Sequence, residues 1–252
     1  MTFDASLATL ASLSDPELTR EWWPFRGKRW DGYALYHALE EEQRAATEAP
    51  VERIEAARIL SLAQSAFGEL RGLLGGLDDA LLDRPPAEGE WSLRETLVHT
   101  IQVERSYRAN VQYSIARTDG EPILMPSERR PKPDPADTAG GALDLVTRFA
   151  ARRAETDAAL GEIAEADLPR TTMWDGIEVD VRFRLHRFAS HIAEHTYQCE
   201  KTIRSLGALG GDARAIAMRI GAMRGLHERR TDPARLRELD AALEDTARLA
   251  IR

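Results

Sequence analysis

Two histidines spaced four residues apart, His191 and His195, are the residues of this chain best placed for metal chemistry. On a helix they lie one turn apart and about 40° from each other, so their imidazoles face the same direction. Imidazole nitrogens bind zinc at about 2.0–2.1 Å, and two rings can hold one ion. A third ligand must come from another segment, and His99 is the candidate. The same spacing also occurs in pairs that bind no metal, and this alternative stays open.

The polar residues around the histidine pair indicate where a substrate would bind. Arg184 and Gln198 lie within about 20° of His191 on the helical wheel. A bundle interior does not tolerate such a polar stripe without partners. We therefore predict substrate contacts for Arg184 and Gln198, and for Tyr107 on the helix that carries the third histidine. No residue is assigned a catalytic role.

A second interpretation of this segment starts from the string His191-Ile-Ala-Glu194-His195. It matches the H-x-x-E-H signature of inverzincin peptidases, in which the glutamate is the general base. A five-residue match arises easily by chance, and the chain shows no other feature of those peptidases. We expect Glu194 to be a solvated helix residue, with the peptidase interpretation as the alternative.

Long amphipathic helices must position these residues. Ser92 and Glu95 have capping-box spacing, which predicts that the helix with His99 begins at Ser92 or the next residue. Four core helices are predicted over residues 51–77, 92–116, 141–161 and 180–206. The terminal regions contain further predicted helices over residues 3–13, 31–47, 212–227 and 233–251.

Two connections between the core helices are predicted to be non-helical. Residues 118–141 carry five of the twelve prolines, which predicts a long loop. Residues 171–180 are expected to form a short extended loop or a small hairpin that turns at Asp175-Gly176.

Composition excludes several classes of protein. Hydrophobic residues make up 43% of the chain and charged residues 30%, a balance that supports a folded core. No apolar run approaches the roughly 20 residues of a membrane span, so no membrane partner is expected. The N-terminal segment lacks the pattern of a secretory signal, and we predict a cytoplasmic protein. A net charge of −8 argues against a nucleic-acid partner.

The single cysteine, Cys199, narrows the metal chemistry. One cysteine excludes a disulfide within the chain and a cysteine-based zinc site. We expect Cys199 to be a small buried hydrophobe and not a fourth ligand. Any metal must therefore be held by histidine and carboxylate side chains.

Three motifs occur in a fixed order along the chain. They are Trp91-Ser92-x-x-Glu95-x-x-x-His99, His191-x-x-x-His195-x-x-Gln198 and the helix stop Leu206-Gly207. In this combination the chain resembles the DinB/YfiT-like superfamily over residues 51–208. The resemblance implies an all-α single domain built on an up-up-down-down four-helix bundle. Residues 1–50 and 209–252 would then be N-terminal and C-terminal helical extensions.

The resemblance also implies a function. In that family one histidine of the second helix and two of the last bind a divalent metal, which implies His99, His191 and His195 as ligands. Zinc or nickel is expected first, with iron or manganese as alternatives.

Well-understood relatives are thiol S-transferases and maleylpyruvate isomerases that use mycothiol or bacillithiol. The resemblance thus implies an S-transferase that binds a low-molecular-weight thiol as thiolate on the metal and acts on a small-molecule substrate, ahead of a hydrolase or an isomerase. A homodimer is a further expectation. The alternative is a non-catalytic metal-binding stress-response protein, so the sequence alone leaves enzymatic activity open.

Overall fold

The computed structural model describes all 252 residues, which form nine α-helices and two β-hairpins. The helices are α1 (Phe3–Ala11), α2 (Asp15–Leu18), α3 (Tyr33–Glu48), α4 (Glu55–Leu74), α5 (Leu93–Ala116), α6 (Ala142–Leu160), α7 (Val181–Ser205), α8 (Asp212–His227) and α9 (Pro233–Ala250). The hairpins pair β1 (Trp23–Phe25) with β2 (Lys28–Trp30) and β3 (Thr171–Trp174) with β4 (Ile177–Asp180). None of the helices has the length and hydropathy that a bilayer span requires.

Helices α4, α5, α6 and α7 form a four-helix bundle, which confirms the expected all-α fold. Both α4 and α5 pack against α6 and α7, so the order around the bundle is α4, α7, α5, α6. Aliphatic and aromatic side chains from all four helices fill its core. Phe67 of α4 and Phe149 of α6 meet edge to face there, with ring centroids 4.8 Å apart.

Contacts near the helix ends define which helices run in the same direction. Glu55 at the start of α4 forms an ion pair with Arg182 at the start of α7, at 2.5 Å. Arg94 at the start of α5 donates a hydrogen bond to the carbonyl of Gly140, just before α6, at 2.7 Å. Each of these two pairs of neighbours is therefore parallel.

The other two pairs of neighbours are antiparallel. In α5 and α7, His99 lies opposite His195, while Tyr107 lies opposite Phe188. Read around the bundle, the directions are up, up, down, down, as expected. Read along the chain they are up, down, down, up.

This order explains the long loop that follows α5. Because α5 and α6 are parallel neighbours, the connection over residues 117–141 must carry the chain back along the bundle. The 24 residues of α5 span about 36 Å at 1.5 Å per residue. A connection of only a few residues could not cover that distance.

The terminal segments form a second helical layer on one side of the bundle. Helices α1, α3, α8 and α9 pack against one another around a separate apolar core. Residues from both ends of the chain contribute to it, among them Leu7, Leu35, Ile220 and Leu243. The two extensions therefore share one core, and the division of the chain after residues 50 and 208 stays a prediction.

Close contact between two helix backbones joins this layer to the bundle. A Cβ atom on Gly68 of α4 would lie 1.9 Å from the carbonyl oxygen of Gly221 of α8. The reciprocal Cβ on Gly221 would lie 2.1 Å from the carbonyl oxygen of Gly68. Only glycine fits at these two positions. Helix α4 is therefore buried between the other helices of the bundle and the terminal layer.

The hairpin β1–β2 was not expected from the sequence. Its register pairs Trp23 with Trp30, and the chain turns at Arg26 and Gly27, both with positive φ. The sequence gives no alternating pattern of polar and apolar residues over these short strands. It also contains Pro24, and proline argues against a strand except at the exposed edge of a sheet. The second hairpin, β3–β4, turns at Asp175 and Gly176 as predicted.

Candidate metal centre

Side-chain caps fix where the two helices of the candidate site begin. The amide of Ser92 donates to Oε2 of Glu95 at 2.8 Å, and the amide of Glu95 donates to Oγ of Ser92 at 3.3 Å. The carboxylate of Glu95 also accepts from the hydroxyl of Ser92 at 2.9 Å, and the hydrogen bonds from the amide and the hydroxyl of Ser92 lower the pKa of Glu95. Helix α7 begins after Asp180, whose carboxylate accepts from the amide of Phe183 at 2.7 Å. Both caps set the rotation of the helix faces that follow them.

The three predicted histidines meet at the contact between α5 and α7. The ring centroids of His191 and His195 are 4.3 Å apart, and that of His99 lies 5.4 Å and 4.9 Å from them. One ligand atom from each ring lies within 4.8 Å of the other two. His191 and His195 are buried and His99 is half-buried, so the cluster lies just inside the bundle surface.

The donor atoms fit the dimensions of a metal site. Nε2 of His191 and Nε2 of His195 are 3.0 Å apart. Two ligands held at 2.0–2.1 Å with an angle of about 90–110° lie about 2.9–3.4 Å apart. Three neutral imidazoles also leave at least one coordination position open, which is the arrangement of catalytic sites. The donor set therefore fits a divalent ion that is accessible to a ligand.

The environment of His99 and His191 favours the neutral form of imidazole that a metal requires. Burial, together with the nearby His195, His99 and Arg187, lowers the pKa of His191 to about 3. Burial and the nearby His195 also lower the pKa of His99, against a small opposing effect of Glu194. Protons therefore compete weakly for these two rings.

Gln198 orients one of the candidate ligands. Its Oε1 lies 2.9 Å from Nδ1 of His195. Because this oxygen can only accept, Nδ1 carries the proton and Nε2 presents its lone pair toward His191. Such a partner is a regular feature of histidine ligands in metal sites. Gln198 thus has a positioning role that the sequence did not predict.

A cleft of about 490 Å³ opens beside His195. Gln198 lines this cleft, where a substrate could contact it. The substrate contact predicted for Gln198 remains a proposal. The other lining residues are Pro86, Glu90, Trp91, Lys201, Thr202 and Ser205. Trp91 also packs on His99, with centroids 5.0 Å apart. The cleft gives a small molecule a route to the histidine cluster.

Several residues of this cleft are related by their spacing in the sequence to residues of the candidate site. Thr202 and Ser205 follow Gln198 at helical spacing on α7, which places them along the same side of the helix. Trp91 directly precedes the capping box of α5. None of the lining residues belongs to the terminal segments.

The structure places Tyr107 and Arg184 beside the cluster, on the side opposite the cleft residues of α7. The ring of Tyr107 lies 5.5 Å from that of His191. The guanidinium carbon of Arg184 lies 4.4 Å above the Tyr107 ring, within cation–π range. Their contact with substrate remains a proposal.

The remaining candidates of the sequence lie outside the cluster. Glu194 is 62% exposed and pairs with Arg187 at 3.6 Å, as expected for a solvated helix residue. Cys199 is fully buried, and burial raises its pKa to about 12, which fits a small core hydrophobe. His186 is exposed, while His37 and His227 lie in the terminal layer.

Comparison with known proteins adds family and structural matches. A family model described as the DinB superfamily matches residues 63–199, more than half of the chain. A comparison with curated proteins gives no match. Among solved structures, the chain is similar to YfiT from Bacillus subtilis, described as a probable metal-dependent hydrolase with an unusual four-helix bundle topology. The two are 13% identical with a TM-score of 0.49, and the match covers 63% of this chain and 91% of that chain. Likeness at this level carries no argument about function.

Proposed function

The chain belongs to the DinB superfamily, and on this premise we propose that it is a divalent-metal-dependent enzyme, most simply a thiol S-transferase. His99, His191 and His195 are the proposed ligands, with zinc or nickel as the first candidates and iron or manganese after them, since imidazole suits all of these except manganese well. The co-substrate would be a low-molecular-weight thiol, such as mycothiol or bacillithiol. Cytoplasmic location and a homodimeric state are part of the proposal.

The observation that carries the proposal is the cleft beside the histidine cluster. A closed site of four protein ligands would suggest a structural metal. Here three neutral side chains converge, and one of them, His195, lines a cleft of about 490 Å³. A divalent ion bound there would favour the thiolate form of a thiol that reaches it.

The residues of the chain have distinct parts in this proposal. Gln198 holds the proton on Nδ1 of His195 and so keeps Nε2 available. Trp91 covers His99 at the edge of the cleft and would limit the access of water. Tyr107 and Arg184 would contact polar groups of the substrate from the other side of the cluster.

Metal analysis of the purified protein tests the first half of the proposal. We expect one divalent ion per chain, and background levels in the double variant His191→Ala, His195→Ala. The variant His186→Ala is the control, because it removes an exposed imidazole from the same helix. Equal metal content in the double variant and the wild type would contradict the ligand assignment.

Thiol binding tests the second half. In cobalt-substituted protein, mycothiol or bacillithiol should produce an intense near-ultraviolet absorption from sulfur bound to the ion. Turnover with a panel of electrophiles should then depend on the same thiol. Metal binding without either response would favour the non-catalytic metal-binding protein.

A further inference from the structure

One buried arginine of the bundle lacks any polar partner. Four arginines are buried in the chain, namely Arg153, Arg184, Arg214 and Arg224. Three of them bind carboxylates or main-chain carbonyls. Arg184 makes no hydrogen bond and no ion pair, although it is only 3% exposed, and its Nε is sealed from solvent.

This arginine is linked to the candidate metal centre through Tyr107. Its guanidinium stacks over Tyr107 at 4.4 Å, and the Tyr107 ring lies 5.5 Å from that of His191. Along α7, seven residues separate Arg184 from His191, a rise of about 10 Å. A small molecule that contacts the histidine cluster and extends about 10 Å along α7 would therefore span the distance to the guanidinium.

The charges around Arg184 leave it uncompensated. The ionisable groups that act on it are Tyr107 and Arg187, and Arg187 repels it. Burial lowers the pKa of Arg184, and no carboxylate opposes this effect. The cation–π contact with Tyr107 offsets part of the cost of burial but satisfies none of the five N–H donors. A buried charge without a partner is costly, and such groups are usually paired.

We infer that Arg184 binds an anionic group of the substrate, of which a carboxylate is the simplest example. The inference rests on the proposed function and narrows its substrate class. The molecule would be an organic acid with its metal-binding group and its anionic group within about 10 Å of each other. A planar guanidinium suits carboxylate and phosphate oxygens, so phosphonates share the required chemistry.

Two thiols that differ only in charge test the inference on the zinc-loaded protein. By calorimetry, 6-mercaptohexanoate should bind about 10- to 100-fold more tightly than 6-mercaptohexanol, because charge-assisted hydrogen bonds are worth about 1.5–3 kcal/mol. The variant Arg184→Gln should remove this preference. Arg204→Gln, an equal charge change at an exposed position of the same helix, should keep it. Equal affinities of the two thiols for the wild type would overturn the inference and leave thiol binding intact.

A second measurement separates this inference from the metal proposal. On the metal-free protein, hexanoate or hexylphosphonate should raise the melting temperature, whereas hexanol should not. The effect should be absent in Arg184→Gln. If thiols fail to bind but this shift occurs, the anion site stands without the transferase proposal. If hexanoate and hexylphosphonate give no shift and the charged thiol has no advantage, the inference is wrong.

Discussion

The molecule contains two buried clusters of histidine and arginine, and they differ in how completely they are paired. In the terminal layer, Arg224 donates to both oxygens of Glu42 at 2.8–2.9 Å. His227 binds Glu42 through Nε2 and Thr231 through Nδ1, both at 2.8 Å. Asp240 takes a further hydrogen bond from Arg224. The ring nitrogens and the carboxylate all have partners within the protein.

The cluster between α5 and α7 uses similar residues and leaves them open. Arg184 has no partner, and Nε2 of His191 and Nε2 of His195 have only each other. A fully paired cluster can hold a fold together, whereas an unpaired one costs stability until a ligand binds. The contrast indicates that residue type alone does not distinguish a structural cluster from a functional one. What distinguishes them is whether the buried polar groups have partners within the protein.

The largest expected effect belongs to the fully paired cluster of Glu42, Arg224 and His227, which we call the closed cluster. Glu42→Ala should lower the free energy of unfolding by about 3–5 kcal/mol, because the buried Arg224 keeps only Asp240 as a carboxylate partner and Nε2 of the buried His227 loses its partner. Urea denaturation measures this loss, with the exposed Glu40→Ala as control, expected within about 0.5 kcal/mol of the wild type. Metal content should not change. A loss below about 1 kcal/mol would remove the structural role of this cluster.

Gln198 should have a smaller effect, and on metal affinity instead of stability. Gln198→Ala should weaken metal binding about 10- to 100-fold, the usual cost of removing the partner of a histidine ligand. Competition with a chromophoric chelator gives the affinity. Gln198→Glu should restore most of it, since the carboxylate also accepts from Nδ1 of His195. Unchanged affinity in Gln198→Ala would show that this hydrogen bond does not orient the ligand.

Arg184 should show the opposite sign of stability effect from Glu42. Arg184→Met should stabilise the metal-free protein by about 1 kcal/mol or more, because it replaces an unpaired buried charge with an apolar side chain of similar length. Urea denaturation of the chelator-treated protein measures this gain. Arg204→Met, an exposed control, should leave stability unchanged. Destabilisation by Arg184→Met would mean that the guanidinium is a structural element like Arg224.

The smallest effect is a pH dependence that arises from Glu42 in the closed cluster. Burial raises the pKa of Glu42, but hydrogen bonds from His227 and Arg224 more than offset this, so the net pKa lies below its ordinary value of 4.5. Its stabilising contribution is therefore complete above pH 4.5 and is lost as the pH falls through the folded value. The stability difference between the wild type and Glu42→Gln should shrink from pH 7 toward pH 3. A constant difference over this range would contradict the assignment.

Local signals in the sequence were sufficient to predict most of the helices and to select the histidines that the structure brings together. The Ser92–Glu95 capping box gave the start of α5, and the His191–His195 spacing gave one face of α7. The structure brings His99 to that face, as the family resemblance implied. These features depend on residues that are close in sequence or on a familiar motif order.

Features that depend on distant partners could not be predicted. Nothing near Arg184 in the sequence shows that no carboxylate faces it, because ion-pair partners come from other helices. Similarly, the parallel arrangement of α5 and α6 follows from how four helices pack, and the prolines of residues 118–141 predicted only that a loop is there. The sequence predicted only a substrate contact for Gln198. Its hydrogen bond to His195 depends on the rotamers of both side chains, which the sequence does not show.

The backbone contact between Gly68 and Gly221 makes the residue at position 68 a marker for the presence of the terminal layer. A four-helix bundle without the terminal layer needs no glycine at position 68, and a larger residue there favours its α4 helix. The backbones of α4 and α8 can touch at this point only because neither position carries a side chain. Glycine at both positions would therefore mark relatives that carry the terminal layer, and a bulkier residue at position 68 would mark relatives in which the bundle stands alone.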